Sequence, residues 1–186
     1  MKNKILIHDV ETTDFSPKNG CLVELGISSL DLDTGEITLL FDSPIKDPRL
    51  TIKDREAWIF KNSNLTVEIV RNAPSIEDVR EEIQSILNDY TKGCTAFNLP
   101  FDQSWMKSRG FTYPKLLDDP MRILAPIMQL PYPNRSGLGK FPSVTEATKF
   151  LFPDKVDYVE AHRGGSDSVD EAEIVWEMIK RGIYKV

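Results

Sequence analysis

The sequence predicts a single α/β domain, residues 1–186, built on a mixed sheet. Two observations carry this expectation. Three strand-like apolar segments fill most of the first 45 residues, and the pattern then turns helical. Three early strands read as an antiparallel meander, and helices alternate with short strands after them.

Each element has a local reason. Residues 3–10 are a short run rich in Ile and Leu, so a strand. Strands follow over 21–33 and 35–45, joined by a tight turn at Asp33, Thr34 and Gly35. Pro44 and Pro48 end the third. Short helices are expected over 54–62 and 65–72. Ser75 then caps a longer helix over 76–90, whose first turn is acidic and whose Ile76, Val79, Ile83 and Leu87 recur at helical spacing. Gly93 ends that helix, and 94–98 reads as a buried strand. A helix over 99–109 stops at Gly110, a short strand is expected near 115–118, and a helix covers 120–129. Three prolines and two glycines make 131–142 a loop, expected to be mobile. Ser143 caps a helix through Phe150, and the last helix spans 164–182 with Ser166 or Asp167 near its start.

Composition narrows the function classes. At 186 residues, 40% hydrophobic and 28% charged, the chain can bury a full core. No apolar run approaches the ~20 residues of a membrane span, so no membrane partner is expected. His8 and Asp9 interrupt the first apolar stretch, which reads as a strand rather than a signal peptide. Cys21 and Cys94 lack metal-ligand spacing and are expected to be reduced core thiols of a cytoplasmic protein. A net charge of −6 makes the chain a poor non-specific polyanion binder. Residues 103–150 nevertheless carry seven basic side chains against three acids. That bias reads either as a solvated mixed surface or as a basic lip beside an acidic site.

Four acids and one histidine are the chemistry-bearing candidates: Asp9, Glu11, Asp102, His162 and Asp167. Four converging carboxylates cannot all stay ionised without cations, and hard divalent ions such as Mg²⁺ or Mn²⁺ suit oxygen ligands. A histidine beside them is a candidate general base. Asp9 and Glu11 lie two apart on a strand and share a face, with His8 and Val10 on the other. They bind one ion, or they are acids at a strand end meeting solvent. Asp102 sits where a strand becomes a helix; the alternative is that Asn98 caps that helix and Asp102 merely favours its positive end. His162 and Asp167 straddle the start of the last helix, with Gly164 and Gly165 giving the loop freedom. Their alternative is an exposed loop histidine and an ordinary helix acid. Asp170, Glu171 and Glu173 read as a solvated helix face.

In combination, D-x-E-T-T, then N-x-x-F-D, then H-x4-D resembles the three motifs of the DEDDh (DnaQ-like) family of 3′–5′ exonucleases, which includes RNase T and oligoribonuclease. The resemblance runs over about residues 3–180. It extends to VELG at 23–26, to Asn64-Leu65-Thr66 followed by APSIEDV, and to LGKFPSVTEATKFLF at 138–152. It implies an RNase H-like fold, a mixed five-stranded sheet flanked by helices. It also implies hydrolysis with two divalent metal ions, Mg²⁺ or Mn²⁺, held by Asp9, Glu11, Asp102 and Asp167, with His162 taking the proton from water. Thr12, Thr13, Leu65, Thr66, Asn98 and Phe101 would grip the terminal nucleotide; local packing or capping is the competing reading for these. His162 stands where a tyrosine subclass would need an acid four after Tyr158, so the histidine class matches better.

The resemblance departs from the family at Asp14, at Phe97 before Asn98, and at Gly164 after His162-Arg163. None of these removes a catalytic residue. The expected partners are 3′ ends of single-stranded DNA or RNA, with a homodimer or a polymerase partner also open. Competing functions are an endonuclease on the same fold, a non-catalytic or partner-dependent binding module such as a proofreading subunit, and an acidic metal-binding protein.

Overall fold

The computed structural model describes residues 3–90 and 92–186. Its central sheet has the order β3-β2-β1-β4. Strands β1 (Lys4–Thr12), β2 (Leu22–Asp31) and β3 (Ile37–Pro44) form the expected meander, with both pairings antiparallel. Asp31 organises the turn between β2 and β3. Its carboxylate accepts from the Asp33 and Thr34 amides, and Gly35 takes the positive φ of 78° that the reversal needs. Strand β4 (Cys94–Thr95) adds to β1 in parallel. The fifth strand expected near 115–118 is reduced to a single parallel bridge between Cys94 and Leu116. Only two residues of β4 are strand, so little edge remains for another to pair with.

Helices cover both faces. On one, α3 (Ile76–Asp89) and α4 (Leu99–Ser108) pack Val79, Ile83, Trp105 and Met106 against Leu6 and Val10 of β1. On the other, α6 (Val144–Leu151) and α7 (Gly164–Lys180) pack Ala147, Leu151, Ile174 and Met178 against Ile5 and Ile7, beside α5 (Pro120–Met128). The period-two split of β1 thus assigns each residue to a layer. A smaller cluster of Val23, Ile59, Leu65 and Val70 seats the short helices α1 (Trp58–Asn62) and α2 (Val67–Arg71). The segment expected as one helix over 54–62 is a 3₁₀ turn over Ile52–Glu56 followed by α1. The stretch expected as a mobile loop contains a hairpin of β5 (Leu130–Pro131) and β6 (Leu138–Lys140).

Strand β2 carries small and polar residues on the face turned to α7. Ser28 Oγ lies 2.8 Å from Ser168 Oγ, and Glu24 meets Arg163. Gly26 lies between them, where the backbones nearly touch: a Cβ on Gly26 would come within 1.9 Å of Gly164 O. Gly164 and Gly165 therefore serve close packing as the first residues of α7, not loop freedom as expected from sequence. Replacing Gly26 by Ala should push the start of α7 off the sheet and cost about 3 kcal/mol of stability. Urea unfolding measures it; a wild-type midpoint would show that the contact is slack.

Candidate active site

Strand β1 delivers the first two acids. Asp9 and Glu11 point to the α7 face, and His8 and Val10 to the other, as the spacing requires. Asp102 comes from the first turns of α4 and is 2% exposed. Its Oδ1 accepts a hydrogen bond from Val10 N at 3.2 Å. The physical reason is the shortness of β4, which pairs only with Leu6 and Ile7 and leaves the Val10 amide for a side chain. Asp102 thus keeps the place in the first turn of α4 that the helix-end reading gives it, and adds a specific bond to β1. Asn98 does not cap α4 through its side chain; it stands in the left-handed region at φ 84°.

His162 and Asp167 arrive at the head of α7. Arg163 is the N-cap residue, and its N–H donates to Asp167 Oδ2 at 2.9 Å. The Arg163 guanidinium donates to both oxygens of Glu24, which is fully buried, and Gly164 N donates to Glu24 Oε2 at 3.0 Å. A buried carboxylate saturated in this way fixes the loop to β2. Ligand atoms of Glu11, His162 and Asp167 consequently lie within 4.8 Å of one another.

Electrostatics mark the site. Burial, reinforced by the neighbouring acids, holds Asp9 well above the ordinary carboxylate range. The same causes push Glu11 up to about 9, and burial raises Asp167 to about 6. Burial raises Asp102 as well. Asp9 Oδ2 is shut off from solvent, and no hydrogen bond from the described residues reaches it. A buried acceptor without a donor, among carboxylates that resist ionising together, is what a divalent cation satisfies. The donor set therefore fits Mg²⁺ or Mn²⁺.

Two acids missed by the sequence reading belong here. Glu171, read as part of a solvated face, is 2% exposed; its Oε2 accepts from Phe97 N, and its charge bears on Asp9. Its position four residues after Asp167 on one helix was the available signal. Glu160 stands 3.9 Å from His162 Nδ1 and is pushed up to about 7 by burial. Asp170 and Glu173 are engaged by Tyr158 and Lys155.

A cleft of about 210 Å³ opens beside Glu11, lined by Thr12, Thr13, Phe15, Trp58 and Phe101 among others. Three of the expected substrate contacts are there. Leu65 is not among its lining residues; it is 1% exposed in the core under α1 and α2. The Thr66 hydroxyl is occupied as the N-cap of α2, accepting from Ile69 N. The basic lip is weakened too, because Lys140, Arg122 and Arg109 pair with Glu146, Asp119 and Asp47.

With this geometry, the sequence matches a family model described as Exonuclease over residues 6–118, more than half of the chain. The chain belongs to the exonuclease family. The match includes Asp9, Glu11 and Asp102, and the fold adds His162 and Asp167 to them. A curated relative, DNA polymerase III PolC-type from Clostridium perfringens, is 27% identical over 132 residues. That alignment covers 71% of the chain and only 9% of the relative's length. Among solved structures, the nuclease domain of 3′hExo, a DEDDh family member bound to rAMP, superposes with a TM-score of 0.70 at 16% identity. It covers 98% of this chain and 94% of that one. E. coli Exonuclease I in complex with a 5cy-dA13 oligonucleotide gives 0.64 at 14% identity, over 96% and 40%. The fold is the RNase H-like fold of the DnaQ-like exonucleases. Among the described residues no helix is long and apolar enough to cross a membrane.

The raised carboxylates set a pH dependence. Above about pH 7 both histidines, whose pKa values burial lowers, are mostly neutral in the folded and the unfolded chain. From there to about pH 9 the folded chain holds protons on Glu11 and its neighbours that the unfolded chain has released. Stability without metal therefore falls as pH rises. The expected loss between pH 7 and 9 in EDTA is at least about 5 °C in Tm, reversed by Mn²⁺ or Mg²⁺. A Tm independent of pH and of divalent ions would contradict this account of the site.

Proposed function

We propose that the chain is a metal-dependent 3′–5′ exonuclease that removes nucleotides one at a time from single-stranded nucleic acid or short oligonucleotides. The observation that carries this reading is the meeting of Glu11, His162 and Asp167 ligand atoms within 4.8 Å, beside the orphaned Asp9 Oδ2. Asp9, Glu11, Asp102 and Asp167 would hold two divalent ions. When bound, such a pair lowers the pKa of water and neutralises charge on the phosphate and the leaving oxygen.

The protein's own groups do the rest. Burial keeps His162 neutral near pH 7, so it can accept the proton of the attacking water. The water oxygen forms a bond to phosphorus, the bond to the 3′ oxygen breaks, and that oxygen leaves with a proton from solvent. The product is a nucleoside 5′-monophosphate. Phe101, Phe15 and Trp58 offer apolar ring surface in the cleft, and stacking on such rings tolerates any base. Thr13 Oγ1 accepts from Cys21 N, which fixes the turn after β1 at the cleft wall. The acidic balance suits ends and short strands better than long duplex wrapping. The similarity to a PolC-type polymerase favours a second reading, in which the chain trims ends presented by a polymerase partner.

A time course on 5′-labelled single-stranded DNA and RNA tests both readings. A ladder shortening by single nucleotides is expected with Mg²⁺ or Mn²⁺, lost in EDTA and in Asp9→Ala or Asp167→Ala. His162→Ala should lower kcat by ~10²–10⁴-fold. Full turnover in that variant would remove His162 from its role. Silence of the wild-type chain with either metal, relieved by a polymerase, would favour the second reading.

A further inference from the structure

A general base acts only when its lone pair is aimed, and a third group usually aims it through a hydrogen bond. His162 lacks that device. Among the described residues no hydrogen bond reaches its imidazole, and the nearest carboxylate, Glu160, stands off at 3.9 Å. Its backbone does not help, since φ is 54°, a left-handed conformation that costs a non-glycine residue energy. What does touch the ring is Trp58. The two ring centroids are 4.6 Å apart and the planes meet at 80°, an edge-to-face arrangement that the aromatic quadrupole favours.

Trp58 comes from a remote part of the chain and is 57% exposed, so the core does not require it there. Its helix is anchored by its neighbour Ile59, which is 1% exposed in the cluster with Val23 and Leu65. The 3₁₀ turn before it is closed by the reciprocal Thr51–Asp54 cap. Alone, one exposed tryptophan would be unremarkable surface. Here it meets the one unbonded imidazole of the site and also lines the cleft that contains Glu11.

We propose that Trp58 is a positioning residue for His162: the edge-to-face contact holds the imidazole over Glu11 and Asp167 in place of a hydrogen-bonding partner. This rests on the reading of His162 as general base. A flat, rigid ring restricts rotation of its neighbour, whereas an aliphatic side chain fills space without orienting it. Because Trp58 also borders the cleft, substrate affinity responds to its loss for a second reason, and kcat is the parameter that isolates positioning.

The test uses the full chain, with Trp58→Leu and Trp58→Phe. The chain has two histidines, so the carbon-bound imidazole protons can be assigned in the metal-free protein with His162→Gln as reference. In the wild type the His162 resonances should be displaced by the indole ring current. They should move to ordinary positions in Trp58→Leu and keep part of the displacement in Trp58→Phe. On a single-stranded oligonucleotide, kcat should fall roughly 10- to 100-fold in Trp58→Leu, with Trp58→Phe restoring most of it. A Trp58→Leu chain with wild-type kcat, or His162 resonances indifferent to Trp58, overturns the role of Trp58 and leaves the nuclease reading standing. A wild-type chain that makes no ladder, or full turnover in His162→Ala, overturns the nuclease reading itself and the positioning role with it.

Discussion

The approach of α7 to β2 is the constraint on which the site depends. Asp9 and Glu11 are fixed by the sheet, but His162 and Asp167 reach them only because two backbones come nearly into contact at Gly26 and Gly164. On one side of that contact lies the Glu24–Arg163 pair, and on the other the Ser28–Ser168 pair. Glu24, Gly26 and Ser28 are alternate residues of one strand, so a single face of β2 supplies all three. Any larger residue at Gly26 would lift the helix that carries Asp167 and holds His162 at its head. Packing and chemistry are therefore the same problem here, solved by one strip of small and polar side chains.

The opposite pressure comes from charge. Asp9, Glu11, Asp102, Asp167 and Glu171 crowd a region from which solvent is largely excluded, and each is raised above the ordinary carboxylate range. A fold selected for stability alone would not gather them. Some are partly compensated by backbone donors: Val10 N for Asp102, Arg163 N for Asp167 and Phe97 N for Glu171. Asp9 Oδ2 has none. The compensation is thus incomplete at the centre of the cluster, where a cation has most to gain. This is the usual signature of a functional site, at which local stability is given up for binding.

How much of this was legible in the sequence follows from what sequence patterns encode. The meander, the parity of Asp9 and Glu11 against His8 and Val10, and the capped helices at Ser75 and Ser143 depend on residues close in the chain, and they stand as read. Asp102 was found by motif, yet its bond to Val10 could not be read, because it depends on β4 stopping after two residues. The same shortness reduced the fifth strand to one bridge. Gly164 and Gly165 were misread as a flexible loop because a glycine pair looks alike whether it frees a chain or admits a neighbour. Glu171 was misread because its helix face depends on which side of α7 meets the sheet. Trp58 carried no signal at all: its partner lies more than a hundred residues away.

The two histidines show how position on β1 decides chemistry. His8 is adjacent to Asp9 in sequence but faces the other layer and is fully buried. Its Nδ1 lies 3.0 Å from the Thr95 carbonyl, which can only accept, so the proton sits on Nδ1. Nε2 is then an acceptor and receives a hydrogen bond from the Tyr113 hydroxyl at 3.0 Å. Both nitrogens are used, and burial pulls the pKa down to about 4, so this ring stays neutral and has no lone pair to offer. His162 is the converse case. It lies beside Glu11 and Asp167, partly exposed, with both nitrogens free of hydrogen bonds from the described residues and an indole against its ring. One imidazole is consumed in tying β1 to β4. The other is left unconsumed beside Glu11 and Asp167, and that difference in saturation is what supports the proposal of His162, rather than His8, as the base.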